Sequence, residues 1–144
     1  MQGDYKADVT PSDCWARLKE TPNAFMVDVR TRPEWTFVGI ARLDEAGKQP
    51  ILAEWQVYPT MSIDPNFVSL TAEAIDRAGG DRDAEIYFLC RSGQRSASAA
   101  ALMTASGYAN CFNISGGFEG PPDAEGHRGK SAGWKAEGLP WQQG

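Results

Sequence analysis

The chain has 144 residues, a formal net charge of −5 at pH 7, 42% hydrophobic residues and 10% aromatic residues. That composition excludes a disordered chain, and an isoelectric point near 4.8 argues against nucleic acid as a partner, since phosphate contacts need a basic face. The apolar runs, such as Ile86-Tyr87-Phe88-Leu89-Cys90, fall far short of the roughly 20 residues of a membrane span, so no membrane is expected as a partner.

The length predicts one domain spanning residues 1–144. For a mass of 15.7 kDa, surface scaling gives roughly 7,300 Å² folded against roughly 23,000 Å² unfolded, enough burial for a core without metal or disulfide staples. Residues 1–8 lack the apolar stretch of a secretory signal. The three cysteines (Cys14, Cys90 and Cys111) include no C-x-x-C pair, which points to neither a disulfide framework nor a zinc site. The expectation is a reduced, cytoplasmic setting with at least one thiol free for chemistry.

In chain order, Thr10-Pro11-Ser12-Asp13 opens a helix with Thr10 as its cap and Pro11 at its first position. Its apolar side carries Cys14, Trp15 and Leu18, and it stops near Thr21-Pro22. Residues 24–29 form a short apolar run that suits a strand covered on both faces, hence a parallel sheet. Residues 30–54 are expected to be irregular, and Glu54-Trp55-Gln56-Val57-Tyr58 alternates as a strand does. Asp64-Pro65-Asn66 opens a second helix with Phe67, Leu70, Ala74 and Ile75 on one face, closed by Gly79-Gly80.

Residues 85–90 are the most strand-like stretch, residues 96–106 an Ala-rich helix stopped by Gly107, and residues 110–114 a further strand closed by Gly116-Gly117. Strands alternating with helices predict an α/β domain with a mainly parallel sheet. Residues 116–144 hold eight of the 15 glycines and three of the nine prolines. They form a non-regular tail packed on the core, because Trp134, Leu139 and Trp141 would cost free energy if left in water.

Chemistry concentrates in Cys90-Arg91-Ser92-Gly93-Gln94-Arg95-Ser96, which runs from the end of a strand to the start of a helix. Ligands of open α/β sheets bind at such carboxyl ends of strands. Backbone N–H groups of a small, polar turn can form an anion-binding nest around Cys90. The helix that follows presents its positive dipole end to the same point, and Arg91 and Arg95 add two fixed charges. Each effect favours thiolate over thiol and makes Cys90 the candidate nucleophile, with Gly93 free to take a positive φ.

This loop resembles the active-site loop of the rhodanese-like (thiosulfate sulfurtransferase) single-domain family, a Cys, four residues, then an Arg, running into a helix. Asp28-Val29-Arg30 followed by Glu34 and Trp35 resembles the family's early signature, and Asn113-Ile114-Ser115-Gly116-Gly117-Phe118 resembles its Gly-Gly turn. The resemblance covers most of residues 8–120, the expected core of the domain, and implies a central five-stranded, mainly parallel sheet with helices on both faces. It also implies sulfur transfer, in which Cys90 takes a sulfane sulfur from thiosulfate or a persulfide and passes it to cyanide or a thiol. Arg91, Ser92, Gly93, Gln94, Arg95 and Ser96 would hold the small anionic donor, and Asp28 and Arg30 would support the loop structurally. An acceptor thiol on a protein is the further partner the resemblance admits. No metal or organic cofactor is implied. The chain departs from the family after Glu34, with Gly39-Ile40-Ala41-Arg42 and a longer, acidic connection, and in its longer tail.

The rival on the same fold is a cysteine phosphatase or arsenate reductase, whose loops resemble Cys, five residues, Arg, with a His before the Cys. Here four residues separate Cys90 from Arg95, Leu89 precedes Cys90, and Asp28 and Glu119 are the only candidates for a general acid. A persulfide carrier that needs a partner protein, or a non-enzymatic binding module, completes the alternatives. The remaining signals read as structure. Cys14 and Cys111 suit packing, and Trp35 and Trp55 suit either core or pocket mouth. His127 suits an exposed tail, and Gly129-Lys130-Ser131 lacks the preceding Gly of a phosphate-binding loop.

Overall fold

The computed structural model describes residues 4–57 and 59–143. The readings made for Met1-Gln2-Gly3, Tyr58 and Gly144 lie outside the described residues.

Five strands form one sheet: β1 (Ala7–Val9), β2 (Ala24–Asp28), β4 (Ile51–Leu52), β7 (Glu85–Leu89) and β8 (Cys111–Ile114), in the order β1-β8-β7-β2-β4. Every neighbouring pair is parallel, as a sheet covered on both faces should be. The central strand β7 pairs with β2 from Ala24↔Glu85 to Asp28↔Leu89, so Asp28 lies beside the residue that precedes Cys90.

Alternation along these strands feeds two cores. Phe25 and Val27 of β2 and Ile86 and Phe88 of β7 face α3 (Phe67–Arg77) and α4 (Gln94–Ala105), and pack there with Ile75, Ala99, Ala100 and Met103. Ala24 and Met26, with Tyr87 and Leu89, face α1 (Pro11–Glu20) and pack with Cys14, Trp15 and Leu18. α1 starts where expected, with the Asp13 N–H donating to Thr10 Oγ1 at 3.1 Å, which satisfies a free donor of the first turn. The alanines of α4 let it lie close on the sheet, and Ala99 and Ala100 have no exposure. The accessible surface of 7344 Å² agrees with the expectation from mass.

Residues 30–54, expected to be irregular, contain a helix α2 (Arg32–Phe37), a short strand β3 (Ile40–Ala41), a 3-10 turn at Asp44–Ala46 and the edge strand β4. α2 has the Thr31-x-x-Glu34 pattern of a capping box: the Thr31 N–H and hydroxyl both donate to Glu34 Oε1, at 3.2 and 3.0 Å. The alternating stretch at 54–58 supplies only β5 (Gln56–Val57), which pairs antiparallel with β6 (Ser62–Ile63) in a separate hairpin. Leu70 is 52% exposed, because the buried stripe of α3 is Phe67, Thr71 and Ile75. Leu70 instead lines a surface cleft of about 350 Å³ with Trp35, Ile51 and Leu52.

The C-terminal segment is tied down. Trp134 has no exposure, meets Trp15 edge-to-face at 5.9 Å, and donates its indole N–H to Pro140 O at 2.7 Å. The final strand β9 (Trp141–Gln142) pairs antiparallel with β3. The stretch after α2 and the C-terminal segment are therefore joined. Truncating a buried Trp leaves a cavity that costs about 3–5 kcal/mol. Trp134→Ala is expected to lose that much in denaturant unfolding, against an unchanged midpoint if the segment merely drapes over the core.

Candidate active site

β7 ends at Leu89 and α4 begins at Gln94, so the connecting loop is only four residues long and must reverse sharply. Gly93 does this with φ +113°, a conformation that costs an L side chain energy but not glycine. The turn aims the Gly93 N–H at Cys90 Sγ, 3.1 Å away. Ser96 Oγ lies 3.2 Å from the same sulfur. Cys90 is 1% exposed and sits at the N-terminal end of α4, where unpaired N–H groups and the helix dipole favour negative charge.

The structure thus gathers Cys90, Gly93 and Ser96 around one atom. Arg91 and Gln94 stand exposed at the rim, and Ser92 is half-buried. The Arg91 side chain makes no hydrogen bond or ion pair among the described residues, which leaves its charge available to an approaching anion.

The Arg95 guanidinium is paired with Glu34. Its Nη1 and Nη2 both donate to Glu34, at 2.8 and 3.0 Å, a bidentate pair that locks the guanidinium to α2. Burial alone would raise the Glu34 carboxyl, but the Arg95 hydrogen bonds and charge, together with Thr31, hold it below its ordinary value. Burial likewise disfavours the Arg95 charge, and Glu34 first, then Cys90 and Asp28, override it and raise the guanidinium pKa. Arg95 therefore acts on Cys90 as a fixed nearby charge whose hydrogen-bonding fork is engaged elsewhere.

Asp28 and Arg30 form a buried ion pair beside the loop. Both have no exposure. Arg30 Nη2 and Nε reach the Asp28 carboxylate at 2.7 and 3.0 Å, and Nη2 also donates to Gly39 O at 2.8 Å. The guanidinium lies over the Phe118 ring, 4.3 Å from its centre. Asp28, consumed in this pair, is not placed as a general acid.

The Gly-Gly turn after β8 braces the loop from behind. The Phe118 N–H donates to Cys90 O at 2.8 Å, and the Glu119 and Gly120 N–H groups donate to Arg91 O at 3.0 Å each. Gly117 has φ +61°, and a Cβ there would stand 2.4 Å from Cys90 O and 2.7 Å from Arg91 C. The Trp134 N–H in turn donates to Gly117 O at 2.8 Å, so the tail stabilises the turn that stabilises the loop. Two contributors lay outside the candidate set. Glu34 is marked in the sequence by its capping box, and Asn113 accepts from Ser96 Oγ at 2.5 Å without a local signal for that contact.

The other cysteines are core residues. Burial pushes the Cys14 thiol up, and it pushes the Cys111 thiol up to about 11. Cys111 pairs with Ile86, four positions before Cys90 and so ~13 Å down the strand, too far to resolve a disulfide with it. Trp55 is a core residue, edge-to-face with Phe67 at 5.0 Å. Trp35 lines the Leu70 cleft, and His127 is exposed. Among the described residues, no His, Cys, Asp and Glu cluster could hold a metal ion, and no helix is long and apolar enough to cross a membrane.

Comparison with known proteins places this geometry in a family context. A family model described as Rhodanese-like domain matches residues 10–120. The Rickettsia conorii protein named Uncharacterized protein RC0915 is 42% identical over 135 residues, covering 94% of this chain and 96% of its own. The crystal structure of Rv0390 from M. tuberculosis superposes with a TM-score of 0.84 at 42% identity, covering 98% of this chain and 100% of that one. The polysulfide-sulfur transferase homodimer of Wolinella succinogenes shares the fold, with a TM-score of 0.58 at 17% identity over 97% of this chain and 80% of its own.

Two substitutions test the brace and the frame. Gly117→Ala is expected to cost at least ~1–2 kcal/mol for the left-handed residue alone and to displace the Cys90 carbonyl, lowering Cys90 alkylation; an unchanged rate would remove the turn from the site. Asp28→Ala leaves a buried guanidinium without its counter-charge and is expected to cost about 3–5 kcal/mol in unfolding experiments, whereas a loss below ~1 kcal/mol would contradict the frame.

Proposed function

The chain belongs to the rhodanese-like domain family, and from that premise we propose that it is a sulfurtransferase working through a persulfide on Cys90. The carrying observation is the sulfur-sized cradle: Sγ takes the Gly93 N–H at 3.1 Å and has Ser96 Oγ at 3.2 Å, at the head of α4. Such donors stabilise a sulfur-centred anion before and after transfer.

In the proposed cycle, the Cys90 thiolate attacks the outer sulfur of thiosulfate. An Sγ–S bond forms as the donor's S–S bond breaks, and sulfite leaves with the electron pair. Cyanide or a thiolate then attacks the terminal sulfur of the persulfide, giving thiocyanate or a new persulfide, and the Cys90 thiolate is restored. Exposed Arg91 and the N-terminal end of α4 meet the anionic donor, while Arg95 supplies a fixed positive charge beside the sulfur. The cycle needs no metal or organic cofactor. This reading takes residues 1–144 as one domain and sets it in the cytoplasm, where thiols stay reduced.

Phosphate chemistry on this fold is less well supported. It needs a guanidinium facing the phosphoryl oxygens and an acid for the leaving alcohol. Arg95 is bidentate to Glu34 and Asp28 is paired with Arg30. A carrier that hands its sulfur to a partner protein's thiol uses the same first half of the cycle.

Intact mass after incubation with thiosulfate tests the proposal. A gain of about 32 Da, one sulfur, removed by cyanide or dithiothreitol and absent in Cys90→Ser, is expected. No gain in the wild-type protein from thiosulfate or from a low-molecular-weight persulfide would overturn it.

A further inference from the structure

The sheet edge farthest from β1 carries a surface that the sulfur site does not use. β4 is an edge strand, with β2 on one side only. The Ala53 N–H donates to Asp28 O at 3.0 Å, so by strand alternation the Leu52 N–H and carbonyl point outward, away from β2. Such outward groups are a template for another strand. Pro50 has no N–H to offer, so any pairing here is short and side chains must supply the rest. The Leu52 side chain is apolar and 44% exposed.

A groove borders this edge on each face. Ile51 is the register partner of Val27 and Leu52 of Asp28, so Ile51 points to the α3 side and Leu52 to the other. On the α3 side lies the cleft of about 350 Å³ walled by Trp35, Phe67 and Leu70. On the other side a cleft of about 260 Å³ is lined by Leu43 and Pro50, and Leu52 borders both. An added strand needs that arrangement, because its side chains alternate between the two faces.

Charge in the larger cleft selects the occupant. α3 runs antiparallel to the strands. Its first residue, Phe67, packs on Trp55, whose N–H donates to Val29 O just past the end of β2. Beyond its last turn, a Cβ on Gly80 would meet the Phe25 ring, near the start of β2, at 2.6 Å. The cleft therefore has Glu54, Asp64 and Arg32 at one end and Arg77 at the other. The Glu54 and Asp64 carboxylates accept only the backbone N–H groups of Arg32 and Asn66, at 2.8 Å each. Neither is met by a cation among the described residues. Arg77 pairs with Glu73 on the helix surface, both exposed, a bond that is easily exchanged. One end is thus net negative and the other positive. A second copy of this chain, turned by a two-fold axis normal to the sheet, sets its positive end against the negative end of the first, and the reverse. The same axis pairs Leu52 with Leu52 of the copy, and an antiparallel pair of this kind exchanges both N–H···O bonds.

We propose that the chain forms a two-fold dimer through β4, in which the two sheets join edge to edge, apolar side chains beside β4 fill the facing clefts, and Arg77 of each copy meets the Glu54–Asp64 end of the other. Nothing in this interface depends on the chemistry at Cys90.

Analytical ultracentrifugation of the full chain tests the dimer. At about 100 μM, where a dimer of micromolar Kd is largely formed, the wild-type protein is expected to sediment at twice 15.7 kDa. Leu52→Asp and Leu70→Asp, at exposed positions, are expected to be monomers with unchanged circular dichroism. Arg77→Glu is expected to raise Kd about tenfold at low salt. Leu102→Asp, exposed on α4 over β7 and β8, is expected to remain a dimer. Leu52→Cys keeps the test open if an aspartate variant does not fold. Cα atoms of a hydrogen-bonded antiparallel pair lie about 5.5 Å apart, within disulfide reach, and the native cysteines are all buried. Mild oxidation is therefore expected to link Leu52→Cys chains and not Leu102→Cys chains. A wild-type monomer at that concentration, a dimer that persists in folded Leu52→Asp or Leu70→Asp, an unchanged Kd in Arg77→Glu, a monomeric Leu102→Asp or equal cross-linking of the two cysteine variants would overturn the proposal.

Discussion

The Asp28–Arg30 pair is the interaction on which the site's frame depends. Ionic groups with no exposure persist only if each charge is met, since an uncompensated one costs several kcal/mol. Arg30 meets that demand from three directions: the Asp28 carboxylate at the end of β2, the Gly39 carbonyl after α2, and the Phe118 ring in the turn after β8. Fixing those three points fixes α2, and with it Glu34. Glu34 then clamps Arg95 at the start of α4, while Phe118 holds the Cys90 carbonyl. A single buried guanidinium thus sets both ends of the cysteine loop relative to the sheet.

The second constraint is backbone proximity. Gly117 allows the turn after β8 to lie against Cys90 and Arg91 where no Cβ fits, and the tail returns through Trp134 to hold that turn. The extra C-terminal length is therefore continuous with the site's support. Pairing of β9 with β3 also joins the tail to the stretch that follows α2. Charge follows the same economy. Glu34 stays ionised below its ordinary range because of Arg95, so its share of the clamp is fully present above the carboxyl's unfolded value and fades as pH falls through its lower folded one.

Much of this was legible from the residues alone. The apolar runs at 24–29 and 85–90, the Thr10-Pro11 helix start and the Cys90–Ser96 loop carry local signals that the fold does not override. The five-stranded, mainly parallel sheet was legible through the family resemblance. Three features were not. β4 is two residues long, and its place at the sheet edge comes from pairing with β2, which no local periodicity encodes. Leu70 follows an apolar spacing, yet Thr71 takes the buried position, because the neighbours of α3 set which stripe faces inward. Arg95 reads as an anion binder by its spacing from Cys90, but its partner Glu34 is 61 positions away, and only the folded chain brings the two together. α2 was not read either: its Thr31-x-x-Glu34 capping box is a signal that the irregular composition of its surroundings obscures.

The central claim is that this cradle handles sulfur and not phosphate. The most direct test runs both chemistries side by side on one preparation: thiocyanate formation from thiosulfate and cyanide, and hydrolysis of an aryl phosphate, each compared with Cys90→Ser. The account predicts catalytic thiocyanate formation that disappears in the variant, with phosphate release no greater than the variant's background. Cys90-dependent phosphate release without thiocyanate formation would contradict it.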